Sequence, residues 1–527
     1  MFETRRLVIV MGKSSEEHIH SYVDLINTQS AYDKLHKIKA EWDNKLSLIN
    51  VNTPDTDFNN VVNKRLLYQV YASRLMGRAG FYQSGGAFGF RDQLQDVLSL
   101  LYTDSEKTKG QILLSASMQY EAGDVMHWWH SPSTGVRTKI TDDRLFLAFV
   151  TCEYAFVTGD YNIFDIRVPF LENMDIPDNC DDIYYKAKHS KTDSTVYEHC
   201  LRSLFSLDNL GINGLPLMGK SDWNDGMDNI YGESIFLAFF MMKVCDMLQK
   251  VALVRNDRTT LSKIAELKKK LQNGIDSSAW DGDRFLRAYY PDGYPLGSKT
   301  NKECVIDLLT QSFAVISDYT RNTEKCEKAL VTVKNLLVDE KNEIIKLLTP
   351  AFTNSDSLHN AGYIESYIEG VRENGGQYTH AAAWYIIALC IAGYDEEAVK
   401  IFSMLNPVSK NIDKYMAEPF AVAGDVYSCK GSEGRGGWSW YTGSAAWLYI
   451  VAIKYILGIE KEGNILRILP HNKWDHYCIK YKFKSSTYII NIFNEDRNNI
   501  LLDSRPVKDI ILCDDGKTHN VIVGKNS

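Results

Sequence analysis

The sequence predicts a mainly α-helical protein that ends in a small β region. From about residue 50 to 460, segments with apolar residues at helical spacing alternate with loops. After Gly458 the pattern changes to short segments typical of strands, separated by turn residues. Paired helices of this kind could form a closed α/α barrel, a solenoid or an irregular bundle. The sequence has no fixed-period repeat, which disfavours the solenoid.

The helices and the loops between them differ in composition. Clear helices are predicted at residues 58–78, 92–102, 142–158, 232–254, 259–273, 303–319, 324–337, 379–393 and 443–457. The intervening loops are rich in Gly, Trp, Asp and His, and they comprise residues 79–91, 121–137, 211–231, 360–378 and 424–442. If the helices close into a barrel, these loops could converge at one end of it.

The chain is expected to begin with one strand and a helical linker. Residues 1–13 include the apolar run of residues 7–11, which is too short for a signal peptide or a membrane span and suits a buried strand. Residues 14–49 have the apolar spacing of a helix. The predicted catalytic barrel then spans residues 50–460, and the β region spans residues 461–527.

Charge and cysteine usage argue against several classes of protein. The net charge is −8 over 527 residues and no basic stripe is present, which argues against a nucleic-acid partner. The ten cysteines form no CxxC pair and no zinc-ligand cluster. We therefore expect a reduced, cytoplasmic protein with no metal site and no membrane partner. The 30 Tyr, 21 Phe and 10 Trp slightly favour sugar binding, although large cores also use aromatic residues.

A Gly-rich loop with two carboxylates contains the first candidate site. Residues 214–227, GLPLMGKSDWNDGM, place Asp222 and Asp225 on either side of Trp223. A general acid for a glycosidic oxygen is a carboxyl group that its surroundings keep protonated, and an adjacent Trp could supply an apolar wall. A helix-capping loop uses the same residue types, and the bare pattern favours that structural explanation.

Two further motifs combine charged and aromatic residues. Residues 85–96, GGAFGFRDQLQD, contain Arg91, which could hold phosphate or sugar hydroxyls or form an internal Arg–Asp salt bridge. In residues 123–130, GDVMHWWH, metal binding is one possibility, but His127 and His130 supply only two ligands. An aromatic sugar platform and a buried aromatic cluster explain this second motif about equally well.

The last two motifs suggest sites for sugar and anion. In residues 371–380, VRENGGQYTH, Glu373 could bind sugar hydroxyls and His380 could hold an anion, whereas a simple capped turn is the alternative. In residues 433–447, EGRGGWSWYTGSAAW, a Thr-Gly pair precedes an apolar helix. The free N–H groups at a helix start suit an anion, although an ordinary N-cap explains the pattern slightly better.

Taken in order, the segments FYQSGGAFGFRDQLQD, GDVMHWWH, GLPLMGKSDWNDGM, VRENGGQYTH and GRGGWSWYTGSAAW resemble glycoside hydrolase family 94. That family holds cellobiose, cellodextrin, chitobiose and 1,2-β-oligoglucan phosphorylases and the C-terminal domain of cyclic β-1,2-glucan synthases. The resemblance implies an (α/α)6 barrel with a C-terminal β region and an N-terminal β-sandwich on a helical linker. Only the last sandwich strand is expected here, in residues 1–13, so the resemblance indicates an N-terminally truncated form.

The resemblance also implies roles for individual residues. The family's general acid is the second Asp of its DWND motif, which corresponds here to Asp225. Contacts with the sugar substrate are implied for Trp223, Glu373, Asp96 and Arg91. Contacts with phosphate are implied for Arg91, His380, Thr442 and Gly443. The family uses inorganic phosphate as co-substrate, so no cofactor is expected, and its dimers indicate a homodimer as one candidate assembly.

These observations predict inverting phosphorolysis of a β-linked gluco-oligosaccharide. An inverting hydrolase needs an acid and a base, but phosphate is already an anion, so an anion site can replace the base. Phosphate is expected to attack C1 of the non-reducing glucose while Asp225 protonates the departing oxygen. The products are α-glucose 1-phosphate and a shortened acceptor.

Other functions remain open at this point. HWWH and DWNDGM look closer to cyclic β-1,2-glucan synthases and 1,2-β-oligoglucan phosphorylases than to cellobiose phosphorylase. A hydrolase on the same barrel would need a second carboxylate as base. A truncated, inactive fragment that only binds sugar is the third alternative.

Overall fold

The computed structural model describes residues 5–11, 14–77, 85–353, 358–419, 421–494 and 499–525. Its α-helices, in chain order, are α1 Glu16–Asp24, α2 Thr28–Leu46, α3 Thr56–Asn60, α4 Leu66–Gln69, α5 Phe90–Leu98, α6 Ser105–Ala116, α7 Asp143–Thr158, α8 Val196–Phe205, α9 Ile235–Val254, α10 Arg258–Ser278, α11 Leu308–Ile316, α12 Glu324–Leu337, α13 Thr379–Ile391, α14 Asp395–Leu405, α15 Ile412–Tyr415 and α16 Ser444–Ile450. Segments of π-helix extend α3, α4 and α16, at Val61–Arg65, Val70–Leu75 and Val451–Ile456. Short 3-10 helices lie at Tyr161–Asp165 and Tyr363–Ser366.

Apolar helices form the centre of the molecule and contact one another in a closed cycle. Along the chain, α5, α7, α9, α11, α13 and α16 each contact the next, and α16 contacts α5 again. These helices are buried on nearly all sides, and in α11 every residue from Leu308 to Ile316 is buried. Such helices have no polar face to turn to solvent, so they require a covering layer.

Amphipathic helices supply that outer layer. Helix α6 packs on α5 and α7, α8 on α7, α10 on α9, α12 on α11, and α14 on α13. In α10 the buried residues Ile264, Leu267, Leu271 and Ile275 recur at helical spacing, as expected of a helix with one buried face. The helix-rich fold that the sequence predicts is therefore confirmed. In the described part of the chain, no helix is both long and apolar enough to cross a membrane.

Strands occur in the connecting loops and at the carboxyl end. Their bounds are β1 Ile49–Asn52, β2 Phe88–Gly89, β3 Met126–His130, β4 Thr134–Thr138, β5 Arg167–Leu171, β6 Asp182–Lys186, β7 His189–Thr195, β8 Glu233–Ser234, β9 Ala288–Tyr289, β10 Pro295–Leu296, β11 Ile306–Asp307, β12 Val338–Asp339, β13 Ile344–Ile345, β14 Leu348–Thr349, β15 Gln377–Tyr378, β16 Asp425–Val426, β17 Ile459–Glu462, β18 Ile465–Ile468, β19 His476–Phe483, β20 Ser486–Asn494, β21 Asn499–Leu502, β22 Arg505–Pro506, β23 Ile510–Ile511 and β24 Thr518–Lys525. The largest sheet has the order β1-β19-β20-β24-β21-β22. Strand β1, from the end of the segment predicted as a linker, pairs antiparallel with β19 and so ties that segment to the β region.

The amino-terminal segment differs from the sequence-based expectation. Residues 5–11 form no strand, and Leu7, Ile9 and Met11 are exposed, so the strand predicted at residues 1–13 is wrong over this part. A strand needs a sheet edge to pair with, and residues 5–11 pair with none. Residues 1–4, 12 and 13 lie outside the described residues. The segment predicted as one linker helix contains α1 and α2, which separate at residues 25–27.

Candidate active site

The amino-terminal ends of the central helices meet at one end of the molecule. Arg91, in the first turn of α5, donates to Asp142 at the start of α7 over 2.6 Å. His380, in the first turn of α13, lies 2.9 Å from Gln95 of α5. A Cβ built on Gly443, just before α16, would lie 3.2 Å from Cε1 of His380. The loops that carry the sequence motifs therefore converge.

Asp222, the first carboxylate of the DWND motif, has a structural role. Its side chain is 0% exposed and forms a paired hydrogen bond with the buried guanidinium of Arg287, with Nη1 2.6 Å from Oδ2. Ser234, the N-cap of α9, donates to the same Oδ2 over 2.7 Å. Arg287 also lies 3.6 Å from Asp307, the N-cap of α11. Asp222 thus fixes the loop against two helix ends and is inaccessible to substrate.

Asp225, the second carboxylate of the motif, faces the solvent-accessible side of the loop. Its side chain is 38% exposed, and Oδ1 accepts a hydrogen bond from Nη2 of Arg91 over 2.7 Å. The Asx turn in which Asn224 Oδ1 accepts from Gly226 N, over 3.1 Å, sets the backbone around it. Within the predicted motif, Asp225 is therefore the carboxylate that a substrate could reach.

Arg91 joins several acidic groups at this end of the molecule. Besides Asp142 and Asp225, its Nε lies 3.5 Å from Asp143 Oδ1. Burial opposes its charged form, but the surrounding carboxylates raise the pKa of Arg91 well above its usual value. Burial also raises the pKa of Asp142, an effect that Arg91 opposes. Arg91 therefore forms internal Arg–Asp salt bridges, as one interpretation of its motif predicts, and it lies beside the candidate acid. Its contact with phosphate or sugar stays a prediction.

The HWWH motif forms strand β3, which pairs with β4 as a hairpin. Trp129 is buried and its ring stacks on Phe88 at 5.6 Å between centroids, which makes it a core residue rather than a sugar platform. Nδ1 of His127 lies 2.6 Å from Asp143 Oδ2. Burial opposes protonation, but Asp143 raises the pKa of His127 to about 9. Within the described residues, no group of His, Cys, Asp and Glu is arranged to hold a metal ion.

Trp223 connects the DWND loop to α13. Its ring packs edge-on against Tyr378 and against His380, each at 5.4 Å between centroids. Trp223 is buried, so its ring supports His380 from behind rather than forming an open platform. Glu373 lies in the same region, 3.3 Å from Arg372, and burial raises the pKa of Glu373.

Three of the four predicted phosphate-binding residues line one cavity of about 350 Å³. His380, Thr442 and Gly443 line it, together with Arg74, Asp92, Arg372, Tyr378, Gly424, Asp425, Trp438 and Tyr441. The Thr442 hydroxyl accepts from Ser444 N over 3.2 Å. Arg91 and Asp225 do not line this cavity, but Asp92 follows Arg91 directly and the charge of Asp225 acts on Tyr378. The structure thus groups three of the four predicted phosphate residues and places Arg91 beside them.

The structure does not bear out the sugar contact predicted for Asp96. This carboxylate is 0% exposed and accepts a hydrogen bond from Nε of Arg74 over 2.9 Å. A buried arginine needs such a partner, so Asp96 neutralises Arg74. Asp96 is not among the residues that line the cavity, although its Oδ1 lies 3.8 Å from the Cβ position of Gly443. Asp92, one helical turn earlier, is 47% exposed and lines the cavity, with Arg74 Nη2 3.1 Å from Oδ1.

Sequence reasoning did not assign Arg74 or Asp92 to the site. Asp92 and Asp96 are four residues apart on α5, so both lie on one helix face and a single arginine can bridge them. That spacing was visible in the sequence, but the arginine comes from the π-helical segment Val70–Leu75. The spacing of the two acidic residues within α5 does not show which residue of another helix binds them.

The chain is similar to known carbohydrate-active proteins over most of its length. A model of the glycosyl hydrolase 94 superfamily, catalytic domain, matches residues 41–458. The chain is 37% identical over 509 residues to the cyclic beta-(1,2)-glucan synthase NdvB of Rhizobium meliloti, covering 94% of this chain and 18% of that protein. It is 24% identical over 545 residues to an N,N'-diacetylchitobiose phosphorylase of Vibrio proteolyticus, covering 95% of this chain and 65% of that protein.

The fold is also similar to that of solved structures with much lower sequence identity. A crystal structure of a GH78 family rhamnosidase from Bacillus sp. GL1 matches with a TM-score of 0.57 at 13% identity, covering 91% of this chain and 44% of that one. At this identity the likeness concerns the fold alone. The family model covers most of the chain and includes each of the motifs described above. This protein therefore belongs to the glycosyl hydrolase 94 superfamily.

Proposed function

We propose that this protein is an inverting glycoside phosphorylase that acts on β-linked gluco-oligosaccharides. The cycle of central helices and the outer layer around it would then be the (α/α)6 barrel of its family. The observation that carries the proposal is the position of Asp225, the accessible carboxylate of the DWND loop, near a cavity lined by His380, Thr442 and Gly443. A carboxyl group that can act as general acid beside a site that can hold an anion suits phosphate, which brings its own negative charge to the attack.

In the proposed reaction, phosphate occupies the cavity and attacks C1 of the non-reducing glucose. A bond forms between C1 and a phosphate oxygen, and the glycosidic C–O bond breaks. The departing oxygen keeps the bonding electrons and takes a proton from Asp225, which restores the hydroxyl group of the acceptor. The products are α-glucose 1-phosphate, with inverted configuration, and an oligosaccharide shortened by one glucose. Inorganic phosphate is the co-substrate, and the step needs no cofactor.

The contact between Arg91 and Asp225 gives phosphate binding a second role. Nη2 of Arg91 donates to Oδ1 of Asp225 over 2.7 Å. A phosphate dianion would compete with Asp225 for the same N–H groups. We propose that phosphate binding draws Arg91 away from Asp225 and so frees this carboxyl group to approach the glycosidic oxygen.

The sugar contacts remain those implied by the family resemblance, with one exception. Glu373 and Trp223 stay the proposed contacts of the reacting glucose, with Trp223 acting mainly as a support for His380. Asp92 replaces the buried Asp96 as the carboxylate that could bind a sugar hydroxyl. The 37% identity with a protein named as a cyclic beta-(1,2)-glucan synthase favours β-1,2-linked substrates.

A hydrolase is the second candidate, and the position of Asp92 is the observation that favours it. This carboxylate lines the cavity, and a base that activates water would have to lie there. Burial opposes its ionised form, but Arg74 holds the pKa of Asp92 below its usual value. A weak base held by an arginine suits ligand binding better than activation of water, so phosphorolysis remains the preferred function.

An acceptor screen in the reverse direction tests the proposal. The purified chain is incubated with α-glucose 1-phosphate and glucose, cellobiose or sophorose, and released phosphate is measured. We expect release with sophorose above the other two acceptors, and glucose 1-phosphate formation from β-1,2-glucans only when phosphate is added. Release of free glucose without phosphate would establish the hydrolase, and sugar binding without either reaction would establish an inactive binding protein.

A further inference from the structure

The side-chain amide of Gln95 has a fixed orientation beneath the cavity. Its Oε1 accepts from Nε1 of Trp447 over 2.9 Å, and its Nε2 donates to the carbonyl of Arg91 over 3.1 Å. An indole N–H can only donate and a backbone carbonyl can only accept. The two contacts therefore identify the oxygen and the nitrogen of the amide without ambiguity, and Gln95 is buried, so water cannot compete for them.

This orientation determines the tautomer of His380. Nε2 of His380 lies 2.9 Å from Oε1 of Gln95, an acceptor, so Nε2 must carry a hydrogen. In a neutral imidazole the other nitrogen, Nδ1, is then an acceptor. Burial lowers the pKa of His380 to about 3, with Arg74 and Arg91 acting in the same direction and Asp92 opposing them. The ring is therefore neutral at physiological pH, and Nδ1 can only accept.

The space left free by Gly443 borders Nδ1 and Cε1 of His380, and Oδ1 of Asp96 lies 3.8 Å from its Cβ position. A Cβ built on Gly443 would lie 3.5 Å from Nδ1 and 3.2 Å from Cε1. Gly443 has φ of −66°, a conformation open to any residue, so backbone strain does not require glycine there. The missing side chain instead keeps the cavity open in front of an acceptor nitrogen.

We propose that His380 accepts the proton of monohydrogen phosphate through Nδ1, and that Gln95 is the positioning residue that holds it in this tautomer. This inference rests on the proposed function, because it concerns the anion of that same cavity. A dianion that carries one P–OH group satisfies an acceptor and leaves its unprotonated oxygens for Arg91 and for attack on C1. The attacking oxygen carries no proton, and the P–OH proton stays on its oxygen at His380 as the C–O bond forms.

Binding of three anions tests the inference by isothermal titration at pH 7.5. Fluorophosphate has the shape and double charge of monohydrogen phosphate but fluorine in place of the hydroxyl group, and sulfate also lacks a proton. We expect phosphate to bind about tenfold more tightly than fluorophosphate or sulfate, the value of one hydrogen bond. Equal binding of phosphate and fluorophosphate would overturn the inference and leave the phosphate site intact. Absence of all anion binding, with no phosphate-dependent turnover, would overturn both.

Variants of Gln95 separate positioning from a merely structural role. In Gln95→Glu the carboxylate favours the imidazolium form of His380, which makes Nδ1 a donor, so the preference for phosphate over fluorophosphate should fall to about one or reverse. Trp447→Phe removes the contact that orients the amide and should reduce the preference without a new charge. An unchanged preference in a folded Gln95→Glu or Trp447→Phe variant would contradict the inference.

A matched control exists elsewhere in the chain. Oε1 of Gln119 lies 2.6 Å from Nδ1 of His199, and burial lowers the pKa of His199 to about 4. This buried Gln–His pair is not part of the cavity lining. Gln119→Glu should therefore leave the ratio of phosphate to fluorophosphate affinity unchanged.

Discussion

Nη2 of Arg91 lies 2.7 Å from Oδ1 of Asp225, while Nη1 of the same guanidinium lies 2.6 Å from Asp142. The two carboxylates differ in burial, since Asp142 is enclosed and Asp225 is partly exposed. The contact with Asp142 therefore holds Arg91 in place, while the guanidinium group that contacts Asp225 can be reached by a ligand. An incoming anion can compete with Asp225 for Arg91 without disturbing the contact with Asp142.

Asp225→Asn should strongly reduce turnover without unfolding the protein. The side chain is partly exposed, so the amide fits the same space, but it cannot donate a proton to a glycosidic oxygen. We expect kcat to fall by about 10²–10⁴-fold, the usual value of general-acid assistance. Steady-state kinetics and thermal unfolding of purified protein measure the two effects, and near-normal kcat would reject the assigned role.

Asp222→Asn is the matched control for this variant, because it makes the same change three residues earlier, in the same motif. It breaks a fully buried ion pair and leaves the charge of Arg287 without its main partner. We expect a loss of about 3–5 kcal/mol in the free energy of unfolding, in contrast to Asp225→Asn. A variant with wild-type stability would show that Asp222 does not hold the loop.

Arg91→Lys should weaken phosphate use more than it weakens the fold. The single ammonium group of lysine cannot contact Asp142 and Asp225 at the same time. It also cannot donate two parallel N–H hydrogen bonds to phosphate, as a guanidinium group can. We expect kcat/KM for phosphate to fall by about 10–100-fold. Arg284→Lys is the control, since Arg284 is also buried but bonds to Asp283. Equal losses of kcat/KM for phosphate in the two variants would contradict a role of Arg91 in phosphate binding.

Helices were predicted best where a long segment had apolar residues at helical spacing and began with a capping residue. The helix predicted at residues 324–337 is α12, Glu324–Leu337, whose N-cap Thr323 accepts from Cys326 N. The segment predicted as a loop at residues 121–137 instead contains β3 and part of β4. A strand is stabilised by the strand with which it pairs, and apolar periodicity within one segment does not identify that partner. This hairpin could therefore not be predicted from periodicity.

The structure brings together the predicted residues at helix starts, but the sequence could not show which acidic residues are accessible. His380, Thr442 and Gly443 line one cavity, as expected of loops that converge. Asp92 and Asp96 have the same chemistry and share a helix face, but Arg74 lies over Asp96 and leaves Asp92 accessible. Which of two like residues is buried depends on a third residue distant in sequence.

Gly443→Ala should impair phosphate binding and leave stability nearly unchanged. The new methyl group would occupy the space in front of His380 Nδ1, 3.5 Å away, while the backbone needs no adjustment. We expect KM for phosphate to rise about tenfold or more, with a smaller change in kcat. Gly110→Ala is the control, because a Cβ on this glycine of α6 meets nothing within 4 Å. That control should gain about 0.5–1 kcal/mol in stability with unchanged kinetics.

His127→Gln should remove a pH-dependent part of the protein's stability. The ion pair with Asp143 raises the pKa of His127 from 6.5 to about 9, against the effect of burial, and the imidazole is only 17% exposed. Because the folded value is the higher one, this contribution is fully present below pH 6.5 and is lost as the pH rises through about 9. The shift corresponds to roughly 3 kcal/mol as an upper bound. Urea unfolding of both proteins between pH 6 and pH 10 measures it, and the gap between their unfolding free energies should narrow with rising pH. A constant gap would show that the charge of His127 does not stabilise the fold.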